Sequence, residues 1–140
     1  MIAKLICSKC GADLTSTIRI HSSKDPYFET PEIEDGRSIT VSGEAIKSWE
    51  PMQRSFDPNQ PASLEFVPQY WLNPADIEAT VKPVSDPRRL NGCCGLDGCD
   101  GPNMRCKKCK TEVGTRQSDC WTANVFIPDP NNSHWVEVVQ

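Results

Sequence analysis

Two Cys-x-x-Cys pairs, Cys7/Cys10 and Cys106/Cys109, lie near opposite ends of this 140-residue chain. A two-residue spacer lets one tight turn direct both sulfurs at one metal ion, and two such turns supply the four ligands that zinc prefers. Four thiolates leave no coordination position for water, so a zinc held in this way is structural. The spacing therefore predicts one structural Zn²⁺ per chain, bound by Cys7, Cys10, Cys106 and Cys109. The alternative is that one or both pairs are buried or redox-active thiols.

The cysteine content and the lack of an export signal indicate a reducing compartment. No run of residues approaches the ~18 apolar residues that span a bilayer, and the first residues do not resemble a signal peptide. Thiols stay reduced in the cytoplasm, where paired cysteines are more often metal ligands than disulfides. We therefore expect a cytoplasmic protein without a membrane partner, whose eight cysteines include metal ligands. The net charge of -4 argues against nucleic acid as its partner.

Short strands are the main elements that the sequence predicts. β-Branched residues and apolar alternation predict strands at residues 3–7, 14–21, 111–116, 121–127 and 134–139. Asn73 and Pro74 are typical of a helix start, and they predict a short helix over residues 74–81. Residues 22–69 are acidic and rich in proline, which predicts a long loop with one short strand at 38–41.

Together these elements predict a mainly β protein with two small antiparallel sheets joined at a structural zinc. One short helix and the long Pro-rich insertion at 22–69 complete this single domain, which we place at residues 1–140. Hydrophobic residues make up 37% of the chain, and there are 12 prolines. Such a composition predicts a modest core, which a structural metal would reinforce.

The two distant knuckles and their flanking strands resemble the β-tent group, which includes Yippee-like proteins, the ligand-binding domain of cereblon and methionine sulfoxide reductase B. This resemblance implies two antiparallel sheets that meet at a zinc held by four cysteines. The motif GCCGLDG at residues 92–98, with DCW at 119–121, is also similar to uncharacterised bacterial proteins that carry both motifs. No activity follows from that second resemblance.

The four other cysteines, Cys93, Cys94, Cys99 and Cys120, have three interpretations. They are small buried residues in a crowded glycine loop, ligands of a second metal, or a redox-active set that pairs Cys93 or Cys94 with Cys99 or Cys120. The reductase family has its nucleophilic cysteine on a strand after the second knuckle, where this chain has Cys120 beside Trp121. The chain lacks the Arg-Tyr-Cys-Ile-Asn run and the histidine spacing of that family.

Five basic residues surround the second cysteine pair. They can contact phosphates, or they can balance the negative charge of a metal held by four thiolates. They are Arg105, Lys107, Lys108, Lys110 and Arg116.

The function that these features predict is a zinc-stabilised, non-catalytic binding module that recognises a protein or a small-molecule ligand. One alternative is a thiol-dependent oxidoreductase that uses Cys120 or the Cys93/Cys94 pair. Another is nucleic-acid contact through the basic second knuckle.

Overall fold

The fold is described from a computed structural model, which describes residues 1–52, 64, 66–93, 95–99, 101–120 and 122–138. Within these residues the chain forms nine strands and two short 3₁₀ turns, and no α-helix. The strands are β1 (Ile2–Cys7), β2 (Ile18–Ser22), β3 (Glu44–Ser48), β4 (Gln69–Leu72), β5 (Val81–Pro83), β6 (Met104–Cys106), β7 (Glu112–Gln117), β8 (Val125–Pro128) and β9 (Ser133–Glu137). Across the described residues, no helix is long and apolar enough to span a membrane.

All nine strands belong to one mixed sheet, in the order β5-β6-β7-β8-β4-β3-β2-β1-β9. β2 and β3 are parallel, from Arg19 opposite Glu44 to Ser22 opposite Lys47, and the other neighbours are antiparallel. The prediction that the protein is mainly β is confirmed, but the prediction of two sheets is wrong. The strands beside the two cysteine pairs form one sheet because β3 and β4 pair with each other and link β2 to β8.

The predicted strands at 3–7, 111–116 and 134–139 are confirmed, with small shifts in their bounds, as β1, β7 and β9. Two others are shorter than predicted: β2 begins at Ile18 and β8 begins at Val125. Trp121, the predicted first residue of the latter strand, lies outside the described residues.

The helix predicted over residues 74–81 is wrong, because this segment forms only the single 3₁₀ turn Pro74–Ile77. The predicted cap is present, since the Asn73 side chain accepts a hydrogen bond of 2.9 Å from the backbone of the turn. The segment cannot continue as a helix because Val81 starts β5, where it pairs with Cys106.

The stretch 22–69, predicted as a long loop, contains the central strand β3 and ends at Gln69, the first residue of β4. The loop prediction is wrong at β3, where Ala45 and Ile46 are buried in the sheet. The short strand predicted at 38–41 is also wrong, since Ser38 makes only an isolated bridge to Asn124. Residues 53–63 and 65 lie outside the described residues, so that part of the prediction stays a prediction.

Side chains of the central strands alternate between two apolar cores on opposite faces of the sheet. In β4, Leu72 packs into one core and Trp71 into the other, as period-two geometry requires. The inner core contains Cys7, Cys106 and Phe126. The outer core forms where residues from the stretch 28–66 cover β3, β4 and β8. Burial on both faces fixes the register of these central strands, because a one-residue slip would exchange the two cores.

The sheet curls so that strands far apart in its order approach each other across the inner face. Tyr70 on β4 and Trp135 on β9 have ring centroids 5.3 Å apart, although three strands separate β4 from β9 in the sheet order. The same curl brings the end of β1 to the end of β6, and Cys7 and Cys106 are the last residues of these two strands.

Candidate metal centre

The four cysteines predicted as ligands meet where the ends of β1 and β6 approach each other. Sγ of Cys7 lies 3.5 Å from Sγ of Cys109, and Sγ of Cys10 lies 3.8 Å from Sγ of Cys106. All four sulfurs lie within 4.8 Å of one another. Four sulfurs at about 2.3 Å from one tetrahedral ion would be about 3.8 Å apart. The cluster therefore fits a metal ion in both size and donor chemistry.

Both of these sulfur contacts join one cysteine pair to the other. A metal in this cluster would therefore cross-link β1 to β6, which occupy the eighth and second places in the nine-strand order. Cys7 and Cys106 are buried, whereas Cys10 and Cys109 lie closer to the surface. The metal would thus lie at the rim of the inner core.

The thiols of the cluster differ in acidity. Burial raises the pKa of the Cys7 thiol to about 11. A hydrogen bond with the Thr111 hydroxyl, whose oxygen is 3.1 Å from Cys109 Sγ, lowers the pKa of Cys109 to about 6. A metal that binds four thiolates would therefore displace the proton that burial favours on Cys7, whereas the lowered pKa of Cys109 favours its thiolate.

The two turns that present the cysteines, which we call the first knuckle (residues 7–11) and the second knuckle (residues 106–110), have the same backbone hydrogen bonds. In the first knuckle, the N–H of Gly11 donates to the carbonyl of Cys7 at 2.9 Å. In the second, the N–H of Lys110 donates to the carbonyl of Cys106, also at 2.9 Å. Gly11 and Lys110 both have positive φ, at 76° and 65°. The two knuckles are therefore two copies of one local structure from unrelated segments.

Two polar residues link the halves of the chain that carry the knuckles. The Thr80 hydroxyl donates to the carbonyl of Leu14 at 2.5 Å, and the Thr80 carbonyl accepts from the N–H of Lys107 at 2.9 Å. On the other side, the Asn132 carbonyl accepts from the N–H of Ser8 at 2.9 Å. The Asn132 side chain donates to the carbonyl of Glu112 at 2.8 Å. The protein thus holds the two knuckles in position with contacts of its own.

The basic residues predicted around the second knuckle differ in exposure. Lys107, Lys108 and Lys110 are exposed, and Lys107 donates to the backbone carbonyl of Glu78 at 3.0 Å. Arg116 is half-buried, and its guanidinium lies 3.7 Å from the Glu78 carboxylate. Nucleic-acid contact through this knuckle stays a prediction.

Three of the other four cysteines, Cys93, Cys99 and Cys120, are exposed, so the prediction that they are buried is wrong for them. Cys94 lies outside the described residues. The four-cysteine cluster is the one group of three or more metal-ligating side chains found in the described part of the chain. A second metal site is therefore not seen among those residues.

A buried carboxylate connects the glycine-rich loop to the segment after β7. Asp119 accepts from the N–H of Cys93 at 3.0 Å and from the N–H of Cys120 at 2.7 Å. Cys120 Sγ lies 3.4 Å from the same carboxylate. The loop packs so closely that a Cβ on Gly95 would clash with the carbonyl oxygen of Ser118. One carboxylate thereby holds the backbones of two exposed cysteines from separate segments, and it also contacts the Cys120 thiol.

Sequence reasoning found the four cluster cysteines but missed the residues that position them. Thr80, Thr111 and Asn132 carry no pattern that marks them, because their roles depend on contacts with distant backbone groups. Lys110 carried a partial signal, since it follows the second cysteine pair at the position that Gly11 has after the first.

No protein-family model, no curated protein and no solved structure matches this chain. The geometry of the four-cysteine cluster is therefore the basis for a functional assignment.

Proposed function

We propose that the four-cysteine cluster binds one structural zinc ion in a non-catalytic binding module, which recognises a protein or a small-molecule ligand. The observation that supports this proposal is the set of four cysteine sulfurs within 4.8 Å, at separations suited to one tetrahedral ion. With four thiolates bound, zinc has no open position for water or substrate, so its contribution is to stability. The ion would bind β1 to β6 and so hold the curled sheet closed around its inner core.

Four sulfur ligands in a tetrahedron also suit iron, so the identity of the metal requires a direct test. Zinc has a filled d shell and its thiolate complexes are colourless, whereas iron-thiolate centres absorb visible light. Elemental analysis of purified protein should give about one zinc per chain and no visible absorption. A content near two zinc ions, or stoichiometric iron, would contradict the proposal.

Two further points belong to the same proposal. Four reduced thiols require a reducing compartment, which supports the cytoplasm as the location. The relationship to β-tent proteins rests on the two knuckles and stays a proposal.

A thiol-dependent oxidoreductase is the second candidate, because Cys93 and Cys120 are exposed and are held by one buried carboxylate. Exposure favours a reactive cysteine, whereas the Asp119 carboxylate opposes formation of the thiolate that such chemistry needs. Selective reactivity of one of these thiols would distinguish this candidate from the binding module.

A further inference from the structure

Two lysines approach the same tryptophan at the end of the sheet opposite the knuckles. Lys24 Nζ lies 4.0 Å from the centre of the Trp49 ring, and Lys47 Nζ lies 4.7 Å from it. Lys47 also belongs to a row across β2, β3 and β4, in which it pairs with Ser22 and Tyr70. Lys47 Nζ is 6.0 Å from the Tyr70 ring. Aromatic faces attract ammonium groups, and both lysines are held close to this one ring.

Neither ammonium has a carboxylate partner in the described part of the chain. Seven ion pairs form among the described residues, and neither Lys24 nor Lys47 takes part in one. The chain has a net charge of -4, so acidic side chains are abundant elsewhere. Two like charges held near one ring repel each other, and a bound anion would remove this repulsion.

Two serine hydroxyls add donors at the same place. Ser22 Oγ accepts hydrogen bonds from the backbone N–H of Lys24 at 3.2 Å and from Trp49 Nε1 at 3.3 Å. Ser23 Oγ accepts from the backbone N–H of Trp49 at 3.4 Å. Because their oxygens already accept, both hydroxyls can direct their protons to a ligand, and neither donates to another described residue. Two ammoniums and two hydroxyls make a group of donors that suits an oxyanion.

Space for a ligand exists on both sides of this group. One cavity of about 610 Å³ is lined by Ser23, Lys24 and Trp49, and another of about 630 Å³ is lined by Ser22 and Lys47. Both volumes fall in the range of small-molecule sites, roughly 300–1,000 Å³.

Each cavity also contains one carboxylate. Glu50 lines the first cavity and Asp25 lines the second. Asp25 accepts from the backbone N–H of Tyr27 at 2.9 Å, and neither carboxylate forms an ion pair with Lys24 or Lys47.

We propose that the cavities around Lys24, Lys47 and Trp49 bind a small molecule that carries a phosphate group. A phosphate dianion matches the charge of two ammoniums, and its several oxygens can accept from donors that approach from different directions. Lysine binds phosphate as a point charge, which suits two flexible side chains beside an aromatic ring. This inference rests on the proposed function, since it names the class of ligand that the binding module takes.

The test uses full-length, metal-loaded protein and inorganic pyrophosphate as the probe, followed by NMR. The resonances of the Trp49 indole N–H and of the Ser22, Ser23 and Lys24 amides should shift during the titration. Sodium chloride at matched ionic strength should leave them in place. Sodium acetate should bind at least about tenfold more weakly, because a single carboxylate carries less charge and fewer oxygens.

Charge-removing variants locate the site. Lys24→Gln and Lys47→Gln should each weaken pyrophosphate binding by about tenfold or more, whereas Lys108→Gln should change it less than about twofold. Lys108 is the matched control because it is an exposed lysine on the second knuckle. Lys24 is exposed on a loop, so its variant should keep the native spectrum even if Lys47→Gln does not fold.

Three results would overturn the inference. They are pyrophosphate shifts no larger than those with sodium chloride, equal loss of binding in Lys24→Gln and Lys108→Gln, and acetate binding as tight as that of pyrophosphate.

The metal content of the same samples separates this inference from the proposed function. If a lysine variant keeps its metal but loses pyrophosphate binding, the substitution has affected the anion site and not the metal site. Pyrophosphate binding by folded protein without zinc would contradict the structural-zinc proposal and leave the anion site standing.

Discussion

Gly11 and Lys110 occupy equivalent positions in the two knuckles and share a left-handed backbone, with φ of 76° and 65°. Each donates its N–H at 2.9 Å to the carbonyl of the first cysteine in its knuckle. Glycine adopts this conformation without steric cost, whereas other L-residues lose about 1–2 kcal/mol in it. Among the described residues Lys110 is the one non-glycine with positive φ. The second knuckle is therefore the strained copy.

This difference predicts opposite effects for two substitutions. Lys110→Gly should raise the free energy of unfolding by about 1 kcal/mol, because relief of strain exceeds the entropy that glycine adds to the unfolded chain. Gly11→Ala should lower it by about the same amount. No atom lies within 4 Å of a Cβ built on Gly11, so backbone conformation alone causes this loss. Denaturant unfolding at saturating zinc measures both changes.

Lys108→Gly is the control, because Lys108 is an exposed lysine of the same knuckle without a positive φ. It should destabilise the protein by about 0.5–1 kcal/mol through the entropy of the unfolded chain. If Lys110→Gly destabilises as much as Lys108→Gly, the Lys110 side chain contributes more than its backbone strain costs.

The knuckles also show which features of the site could be predicted from the sequence alone. Gly11 predicted the first turn because that turn depends on local geometry, and the cysteine spacing predicted the cluster because a four-thiolate zinc site needs two such pairs. The strained conformation of Lys110 had only the partial signal of its position after Cys109, since the turn that it closes with Cys106 imposes this conformation against its own propensity. β3 was missed for a related reason: it pairs in parallel with β2 across a long connection, and no turn signal marks such a pairing.

The short helix predicted over residues 74–81 failed because tertiary pairing overrides local propensity. Asn73 does cap a turn, but Val81 pairs with Cys106 in β5, and the Thr80 carbonyl accepts from the N–H of Lys107 in the second knuckle.

The prediction of two sheets failed because it treated the stretch 22–69 as an insertion. β3 in that stretch has only Ala45 and Ile46 as apolar residues, too few to identify a strand whose two faces are both buried.

A metal shared by both knuckles predicts similar losses from a ligand of each knuckle. Cys10→Ser and Cys109→Ser each leave three thiolates, and the binding free energy of a structural zinc is also folding free energy. Both variants should lose several kcal/mol of stability and most of their zinc, as measured by thermal unfolding and elemental analysis. Cys99→Ser, an exposed cysteine outside the cluster, should keep its zinc and its stability. Unfolding of Cys109→Ser beside a stable Cys10→Ser would show that the site is not shared.

The contact of Thr80 with Leu14 should contribute to stability independently of the metal. Thr80→Val keeps the shape of the side chain but removes the hydroxyl that donates to the Leu14 carbonyl at 2.5 Å. We expect a loss of about 1 kcal/mol, and up to about 3 if the carbonyl stays unsatisfied. Thr80→Ser retains the hydroxyl and should lose less. Equal losses in the two variants would show that the methyl group, and not the hydrogen bond, is responsible.

Thiol alkylation at neutral pH separates the binding module from the oxidoreductase. Cys93, Cys99 and Cys120 are exposed, so they should label in native protein at comparable rates. Bound zinc should protect the four cluster cysteines until a chelator removes it, because a coordinated thiolate is no longer free to react. Mass spectrometry of digested protein assigns each site, and Cys99 serves as the internal reference for an accessible thiol. Labelling of Cys93 or Cys120 more than about tenfold faster than Cys99 would indicate an activated thiolate. That result, with the cluster still protected, would favour the oxidoreductase over the binding module.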